Sequence, residues 1–346
     1  MDFLSSLDKM EHNKVGVKPV SPSSTKSMNQ TPKFLYQKCR CPDCHYAPLT
    51  FLSGECRCSN CGATFPLRQG IPVLIRHDNE VFPIESYCEP ANESFKRKSL
   101  GLARFIPSPS VNLSHRRSIQ LLAESLTDFS PGYVLVIGAG RQKGYLEDFF
   151  ASYPQIQIIY TDIDLSAEID VFCDAHELPF IDQVFQGVIV TGVLEHVMYP
   201  ERAVVEIYRL LVDGGVVYSE IPFMQQVHEG AYDFTRYTLS GHRRLFNRFQ
   251  ELSSGLTAGP ATAMVWTLEN FALCFAPTVL LRLMVKAGVR LTFFWLKYLD
   301  YLLKDIPQAM DSASGTYFVG RKDPSVYTSD RIIIERYVGA KHLDHL

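Results

Sequence analysis

Apolar residues along this chain come in two rhythms. Short runs rich in β-branched and aromatic residues recur at YVLVIGAG from Tyr133, QIQIIYTDID from Gln155, IDVFCDA from Ile169, VFQGVIVTGV from Val184 and VVYSEIPF from Val216. Each reads as a buried strand. Between them, apolar residues return every three or four positions. HRRSIQLLAESLTDF from His115 and KGYLEDFFASY from Lys143 read as helices. In PERAVVEIYRLL, Ala203, Val204, Ile207, Tyr208 and Leu211 share one stripe. Gly214-Gly215 is expected to cap that last helix and turn the chain. Strands alternating with helices predict an α/β fold, a parallel sheet with helices on both faces. In such sheets ligands sit at the carboxyl ends of the strands.

The rhythm changes at both ends. Up to about Pro32 the chain is polar and rich in Ser and Lys, as in SPSSTKSMNQTP, and is expected to be disordered. From Ala261 to Leu303 it is long, apolar and helical in character. No window of 18 residues there is free of Glu, Asn, Pro or Arg, so a spanning helix is not expected. GTYFVGRKD from Gly315 reads as a final strand.

Composition adds limits. With 346 residues, 46% hydrophobic and 21% charged, the chain suits a soluble protein of about two domains. A net charge of −3 gives no global field toward nucleic acid. The first ten residues, MDFLSSLDKM, lack the apolar core of a signal peptide. The expected location is cytoplasmic, with membrane-peripheral association left open.

Six of the nine cysteines crowd between Cys39 and Cys61. Cys41-Pro-Asp-Cys44 and Cys58-Ser-Asn-Cys61 are two CxxC turns with 13 residues between Cys44 and Cys58. Two such turns present four thiolates to one structural zinc ion. Cys39 and Cys56 are then spare. CPDC followed by CSNCGATFPLRQGIPVLI resembles the zinc-ribbon family whose members activate tRNA and release-factor methyltransferases as a separate subunit. The match runs through Cys41, Cys44, Cys58, Cys61, Phe65, Pro66, Gly70, Ile71, Pro72 and Leu74. The resemblance implies a scaffold or substrate-docking module fused to its enzyme.

VLVIGAGRQKG ends a strand on Gly138, Gly140 and Gly144. A strand that stops at glycines before a helix suits a nucleotide. Asp162 follows Gly140 by 22 residues, so these residues alone leave NAD open. The stretch from Val134 to Phe223 resembles class I S-adenosylmethionine-dependent methyltransferases, of the type 11-like group. VLVIGAG, YTDIDLS, CDAHELPF, VIVTGVLEHV and EIYRLLVDGGVVYSEIPF match five of its motifs in order. The resemblance implies a Rossmann-like sheet with S-adenosylmethionine held by Gly138, Gly140, Asp162, Ile163, Asp174 and Ala175. Asp162 would accept from the ribose hydroxyls. Asp174 would accept from the adenine amino group, and the Ala175 N–H would donate to the ring. Two departures stand out. Val136 replaces the acid that usually precedes the first glycine by two residues, and Gln142 stands where glycine is common.

Methyl transfer to a hydroxyl or amine needs a proton acceptor. Glu195 and His196 follow the fourth strand, and they also suit a helix start near Pro200. IPFMQQVHEGAYDFTRYT carries His228, Glu229, Asp233, Arg236 and Tyr237 past the fifth strand. It resembles a subgroup of glycan-modifying methyltransferases with PF…H…D-x-x-RYT. That resemblance points to His228 as a base, with Asp233 and Arg236 holding the loop or the substrate and Tyr237 beside them. An Asp233–Arg236 ion pair with an exposed His228 is the plainer alternative.

The 261–303 segment falls between the sixth and seventh strands. It suits a cap over the site, a homodimer surface, or an interfacial helix meeting lipid, with Phe293, Phe294, Trp295, Leu296, Lys297 and Tyr298 as a belt. Core packing is the simplest alternative. The expected order is a tail at 1–33, a zinc ribbon at 34–80, a linker at 81–114 and the S-adenosylmethionine-binding core at 115–250. The sixth strand, helical insertion and last strand fill 251–325, and a tail fills 326–346. The expected activity is methylation of an oxygen or nitrogen on a small molecule, glycan or lipid-linked intermediate. The alternatives are an RNA methyltransferase with a zinc module, and a non-catalytic binding partner that keeps the fold.

Overall fold

The computed structural model of the chain describes residues 33–88, 106–140 and 143–340. The first 32 residues of the polar tail expected at 1–33, residues 89–105 of the expected linker, Arg141, Gln142 and the last six residues lie outside them. Seven strands form the main sheet: β5 (Gly132–Ile137), β6 (Ile156–Asp162), β7 (Val171–Phe172), β8 (Phe185–Thr191), β9 (Leu211–Pro222), β10 (Phe249–Ala258) and β11 (Gly315–Lys322). Their spatial order is β10-β11-β9-β8-β5-β6-β7. β5 pairs in parallel with β6 and β8, and β11 runs antiparallel between β9 and β10. The order reverses at β5, which puts the switch point at the glycine turn after Ile137. This is the Rossmann-like class I methyltransferase sheet, with helices on both faces and an extra helical segment before the last strand.

The alternating period of the strands is overridden by burial on both faces, as a parallel sheet requires. Val134, Leu135, Val188, Ile189, Val190, Val216, Val217 and Tyr218 are all buried. Helices α2 (His115–Ser125), α3 (Lys143–Phe150) and α4 (Pro200–Leu210) present Ile119, Leu122, Leu146, Phe150, Ala203 and Ile207 to the core. Gly214-Gly215 does not cap α4. The helix passes straight into β9 through an extended Leu211, and the two glycines lie within the strand. They build a bulge there: Phe185 pairs with Leu211, but Gly187 pairs with Val216. A Cβ on Gly215 would stand 2.9 Å from the Val212 carbonyl and 3.0 Å from that of Gln186.

The cysteine-rich unit opens with α1 (Lys33–Lys38) and folds as an antiparallel sheet, β1 (Thr50–Phe51), β2 (Glu55–Arg57), β3 (Thr64–Arg68) and β4 (Ile71–Pro72). It shares one apolar core with the main sheet, from Leu35, Phe65 and Leu74 through Phe172 and Phe180. Main-chain bonds join the two. Arg40 N–H donates to the Pro179 carbonyl (2.9 Å), Ile181 N–H to that of Lys38 (2.9 Å), and Leu74 N–H to that of Phe172 (2.9 Å). The unit therefore covers β7, which would otherwise be an open edge. The residues expected as a linker are packed where they are described. Tyr87 is buried, and Leu113 N–H donates to the Thr257 carbonyl at 2.7 Å.

The 260–311 segment forms α6 (Pro260–Leu273), α7 (Val279–Phe293), a 3-10 turn at Phe294–Leu299, α8 (Asp300–Leu303) and α9 (Pro307–Asp311). Among its described residues, no helix is long and apolar enough to cross a membrane. Core packing holds at the base of α6, where Ala261, Val265 and Glu269 are buried, and fails for α7, which buries no residue. The expected belt is also split, with Leu296 and Lys297 buried and Trp295 exposed.

Helix α5 (Leu239–Leu245) is pinned through His242. Its imidazole lies between the hydroxyls of Thr316 and Ser219, 3.0 Å from each, in complete burial. Burial without an acid nearby drives its pKa down to about 3. The unfolded chain takes up this proton below about pH 6.5, whereas the folded chain does not. The contribution is therefore intact above that pH and is lost as the pH falls toward 3. Urea unfolding of wild type should lose about 2 kcal/mol through this group between pH 7.5 and 5. His242→Gln should flatten the slope by that amount, and an unchanged slope would exclude His242 as its source.

Candidate functional site

The glycine turn is shaped by contact, not by sequence flexibility alone. Gly138 and Gly140 have φ of 66° and 53°, a region that disfavours side chains. A Cβ on Gly138 would stand 2.2 Å from a Val193 methyl. The turn after β5 therefore touches the loop after β8, the loop that carries Glu195 and His196.

Asp162, at the end of β6, faces this turn. Its Oδ2 accepts from Gly140 N–H (2.7 Å), and its Oδ1 accepts from the N–H groups of Ile163 (2.7 Å) and Asp164 (2.9 Å). Burial pushes its pKa up against these three donors. A carboxylate offers about four acceptor sites, so about one remains for a ligand hydroxyl. The bond to Gly140 ties the glycine turn to the end of β6, and Val136 is buried within β5.

Asp174 follows β7. It accepts from His176 through backbone N–H (2.9 Å) and Nδ1 (2.7 Å), and from Asn79 Nδ2 (2.8 Å). Burial alone would raise its pKa, but these donors outweigh it and the pKa is lowered. Asn79 belongs to the stretch just after the cysteine-rich unit, which sequence reasoning did not connect to the site. The same stretch sends the Tyr87 hydroxyl to the Ile163 carbonyl (2.8 Å) and stacks Phe82 on Tyr232 at 6.1 Å. It forms a wall along the carboxyl ends of β6 and β7, beside Ile163, Asp174 and the half-buried Ala175.

Glu195, His196 and His228 come together on the other side of the glycine turn, with ligand atoms within 4.8 Å of one another. Glu195 is 2% exposed, its Oε2 has no hydrogen-bond partner among the described residues, and Oε1 lies 3.7 Å from His196 Nε2. Burial raises its pKa to about 7, with smaller opposing effects of its own N–H and Arg236. His196 Nδ1 lies 2.8 Å from the Tyr232 carbonyl, which can only accept. Nδ1 therefore carries the proton and Nε2 keeps its lone pair. The His196 and His228 rings meet edge-on at 4.8 Å. The cluster suits a shared proton or a small cation. Neither Glu195 nor His196 begins a helix, since α4 starts at Pro200.

Asp233 and Arg236 shape the loop. Asp233 is bonded to the Arg236 guanidinium and accepts from His228 N–H at 2.9 Å. Arg236 makes five bonds within the loop, to Asp233 twice and to the carbonyls of Gln225, Gln226 and Thr235. Guanidinium has five N–H groups, so none is left for substrate. The ion pair and the partly exposed His228 thus occur together, and the pair positions the histidine. Tyr237 is half-buried, its hydroxyl pushed up by burial and then by Glu201 of α4.

A cavity of about 300 Å³ opens next to this loop, lined by Asn112, Gln225, Thr257, Trp266 and Ser314 among others. Beside it, the Glu220 carboxylate accepts from Asn112 Nδ2 (2.9 and 3.0 Å) and from the Tyr218 hydroxyl. The sequence did carry one signal for this patch. Tyr218, Ser219 and Glu220 are a polar run between the apolar Val216, Val217 and Ile221 of a buried strand.

The four cysteines are also brought together. Cys41 and Cys61 sulfurs are 3.7 Å apart, and those of Cys44 and Cys58 3.5 Å. Zn–S bonds of about 2.3 Å in a tetrahedron place sulfurs about 3.8 Å apart, so the set can hold one zinc ion. Cys39 and Cys56 are buried outside it. Burial holds the Cys39 thiol well above its usual range and pushes that of Cys56 up to about 12.

Solved structures with this fold are distant. The [4+2]-cyclase SpnF shares 18% identity at a TM-score of 0.35, covering 60% of this chain and 80% of its own. Haemonchus contortus phosphoethanolamine N-methyltransferase 2, solved with S-adenosyl-L-methionine, shares 16% at 0.37, over 61% and 53%. The StiE O-MT segment shares 14% at 0.38, over 68% and 81%. No curated protein sequence matches the chain. Residues 136–219, from β5 to β9, match the family described as methyltransferase domain.

Proposed function

We propose that the chain transfers a methyl group from S-adenosylmethionine to an oxygen or nitrogen of a small-molecule, glycan or lipid-linked acceptor. The observation that carries this reading is the Glu195–His196–His228 cluster beside the glycine turn. It is a proton-accepting group where donor and acceptor would meet. When bound, S-adenosylmethionine supplies an already activated methyl group, so alignment is the main task left to the protein. Gly140, with open space where a Cβ would stand, would admit a ligand close to the backbone, while Gly138 makes room for Val193. The free acceptor site on Asp162 suits one ribose hydroxyl. Asp174 and Asn79 close the adenine side. The acceptor would enter from the cavity at Asn112, Gln225 and Trp266. Its proton passes to the unpartnered Glu195 Oε2, whose pKa near 7 suits proton exchange at neutral pH. Arg236 and Asp233 hold His228 against this cluster.

The test separates binding from turnover. Glu195→Gln keeps the shape and removes the proton acceptor. Methyl incorporation from labelled S-adenosylmethionine should fall by about 10²–10⁴-fold. Affinity for S-adenosylhomocysteine should stay within about twofold. Equal losses in both would make Glu195 a structural residue.

Asp162→Ala should weaken S-adenosylhomocysteine binding by about 1.5–3 kcal/mol, since it removes a charged acceptor and loosens the turn. Calorimetric titration reads this directly, and an unchanged Kd would refute the role.

We further propose that Cys41, Cys44, Cys58 and Cys61 hold a structural zinc ion. Metal analysis should find one zinc bound per chain through these thiolates, and Cys41→Ser should release it. Because the ribbon and the sheet share a core, the variant should also lower Tm by several degrees. A variant that keeps its zinc would overturn the assignment.

A further inference from the structure

The outer helix of the insertion is built unlike the rest of the surface. Helix α7 runs from Val279 to Phe293 without one buried residue, although most of its residues are apolar. Leu280 is 69% exposed, Met284 61% and Leu291 57%. Spaced by four and seven residues, they form one outward stripe. Phe271, Phe275 and Trp295, each more than half exposed, extend it at both ends of the helix. An apolar face of this extent on a water-soluble surface calls for a partner.

Charge says which partner. The chain as a whole carries −3, yet residues 270–299 contain Arg282, Lys286, Arg290 and Lys297 and no acidic residue. Arg290 is paired with Glu269 at 2.6 Å, and Lys297 donates to the Ser108 carbonyl. Arg282 and Lys286 are exposed, and no salt bridge involves either among the described residues. A local excess of positive charge beside exposed leucine, methionine and aromatic residues matches an anionic lipid surface. A second copy of the chain would bring these cations against their own kind.

The insertion is held so that it can act as a platform. Asp300 is fully buried and accepts from the N–H groups of Ala261 (2.9 Å) and Thr262 (3.1 Å), fixing the start of α6. Trp266 of α6 lines the acceptor cavity. The exposed helix and the cavity therefore share one rigid support. The described helices of the insertion are too short to span a bilayer, so contact would be lateral, with the apolar stripe in the headgroup boundary.

We propose that α7 and its flanking aromatic residues dock the protein on anionic membranes. This docking is independent of the methyl-transfer reading. If that reading also holds, the acceptor is one presented at a lipid surface.

The experiment is co-sedimentation of the full chain with vesicles of phosphatidylcholine alone or with about a third phosphatidylglycerol, at low and high salt. Strong binding to the anionic vesicles, weak binding to the neutral ones and loss at high salt are expected. Arg282→Gln with Lys286→Gln should weaken anionic binding on the order of 25-fold. Leu280→Glu with Met284→Glu should abolish it. Both pairs lie on the exposed face, and an unchanged Tm verifies folding. No sedimentation above the vesicle-free control overturns the proposal. So does binding that the Leu280/Met284 pair leaves intact. A wild-type dimer that this pair converts to monomer, with no vesicle binding, assigns the face to a second copy and overturns it as well. S-adenosylhomocysteine binding by the full chain without vesicles is read separately, so failure of vesicle binding and failure of the catalytic reading are distinguished.

Discussion

Three backbone bonds at one sheet edge govern the arrangement of this molecule. Arg40 to Pro179, Ile181 to Lys38 and Leu74 to Phe172 join the cysteine-rich unit to the strand that ends the sheet. A two-residue strand such as β7 has little hold of its own. The added backbone and the shared core of Phe65, Leu74 and Phe180 stabilise it. The same docking fixes where the chain goes next. Arg76 to Tyr87 must run past the ends of β6 and β7, and Asn79 and Tyr87 then meet Asp174 and Ile163. The unit thus shapes the carboxyl ends of β6 and β7 through position.

The glycine turn is tied to β6 through Asp162, with Val136 buried in the strand before it. A buried carboxylate is costly unless its oxygens find donors. Asp162 finds three, one of them the Gly140 N–H across the crevice. One carboxylate thereby ties the turn to the end of β6 and, in the proposed function, would present an acceptor to a ligand. The arrangement leaves Asp162 less free than the motif alone implied, with about one acceptor site to offer rather than a pair.

The motif order and strand-helix alternation were enough to read the sheet, because buried parallel strands leave long apolar runs. The two CxxC turns fixed the four-sulfur set through spacing. Other features left no mark in local sequence. Gly214-Gly215 has the look of a helix cap, and the bulge it makes depends on the partner strand. Asn79 and Tyr87 gain meaning only from the docking of the preceding unit, which is a long-range event. Arg236 read equally as a substrate or loop residue until its five donors could be counted against carbonyl partners. The fate of the 261–303 segment was undecidable from hydropathy, since a buried helix and an interfacial one share the same composition.

That last ambiguity bears on how the two ends of the site are divided. The side at Asp162 and Asp174 is bounded by the stretch that follows the cysteine-rich unit. The cavity at Asn112 and Trp266 is bounded by α6, β10 and β11, and the insertion between the last two strands forms its rim. Under the proposed methyl transfer, the first side would take the common ligand and the rimmed cavity would select the second substrate. The burial of Asp300 at the root of the insertion is consistent with that division. Asp300 accepts from the first N–H groups of α6 and so ties the root of the insertion to the helix that lines the cavity.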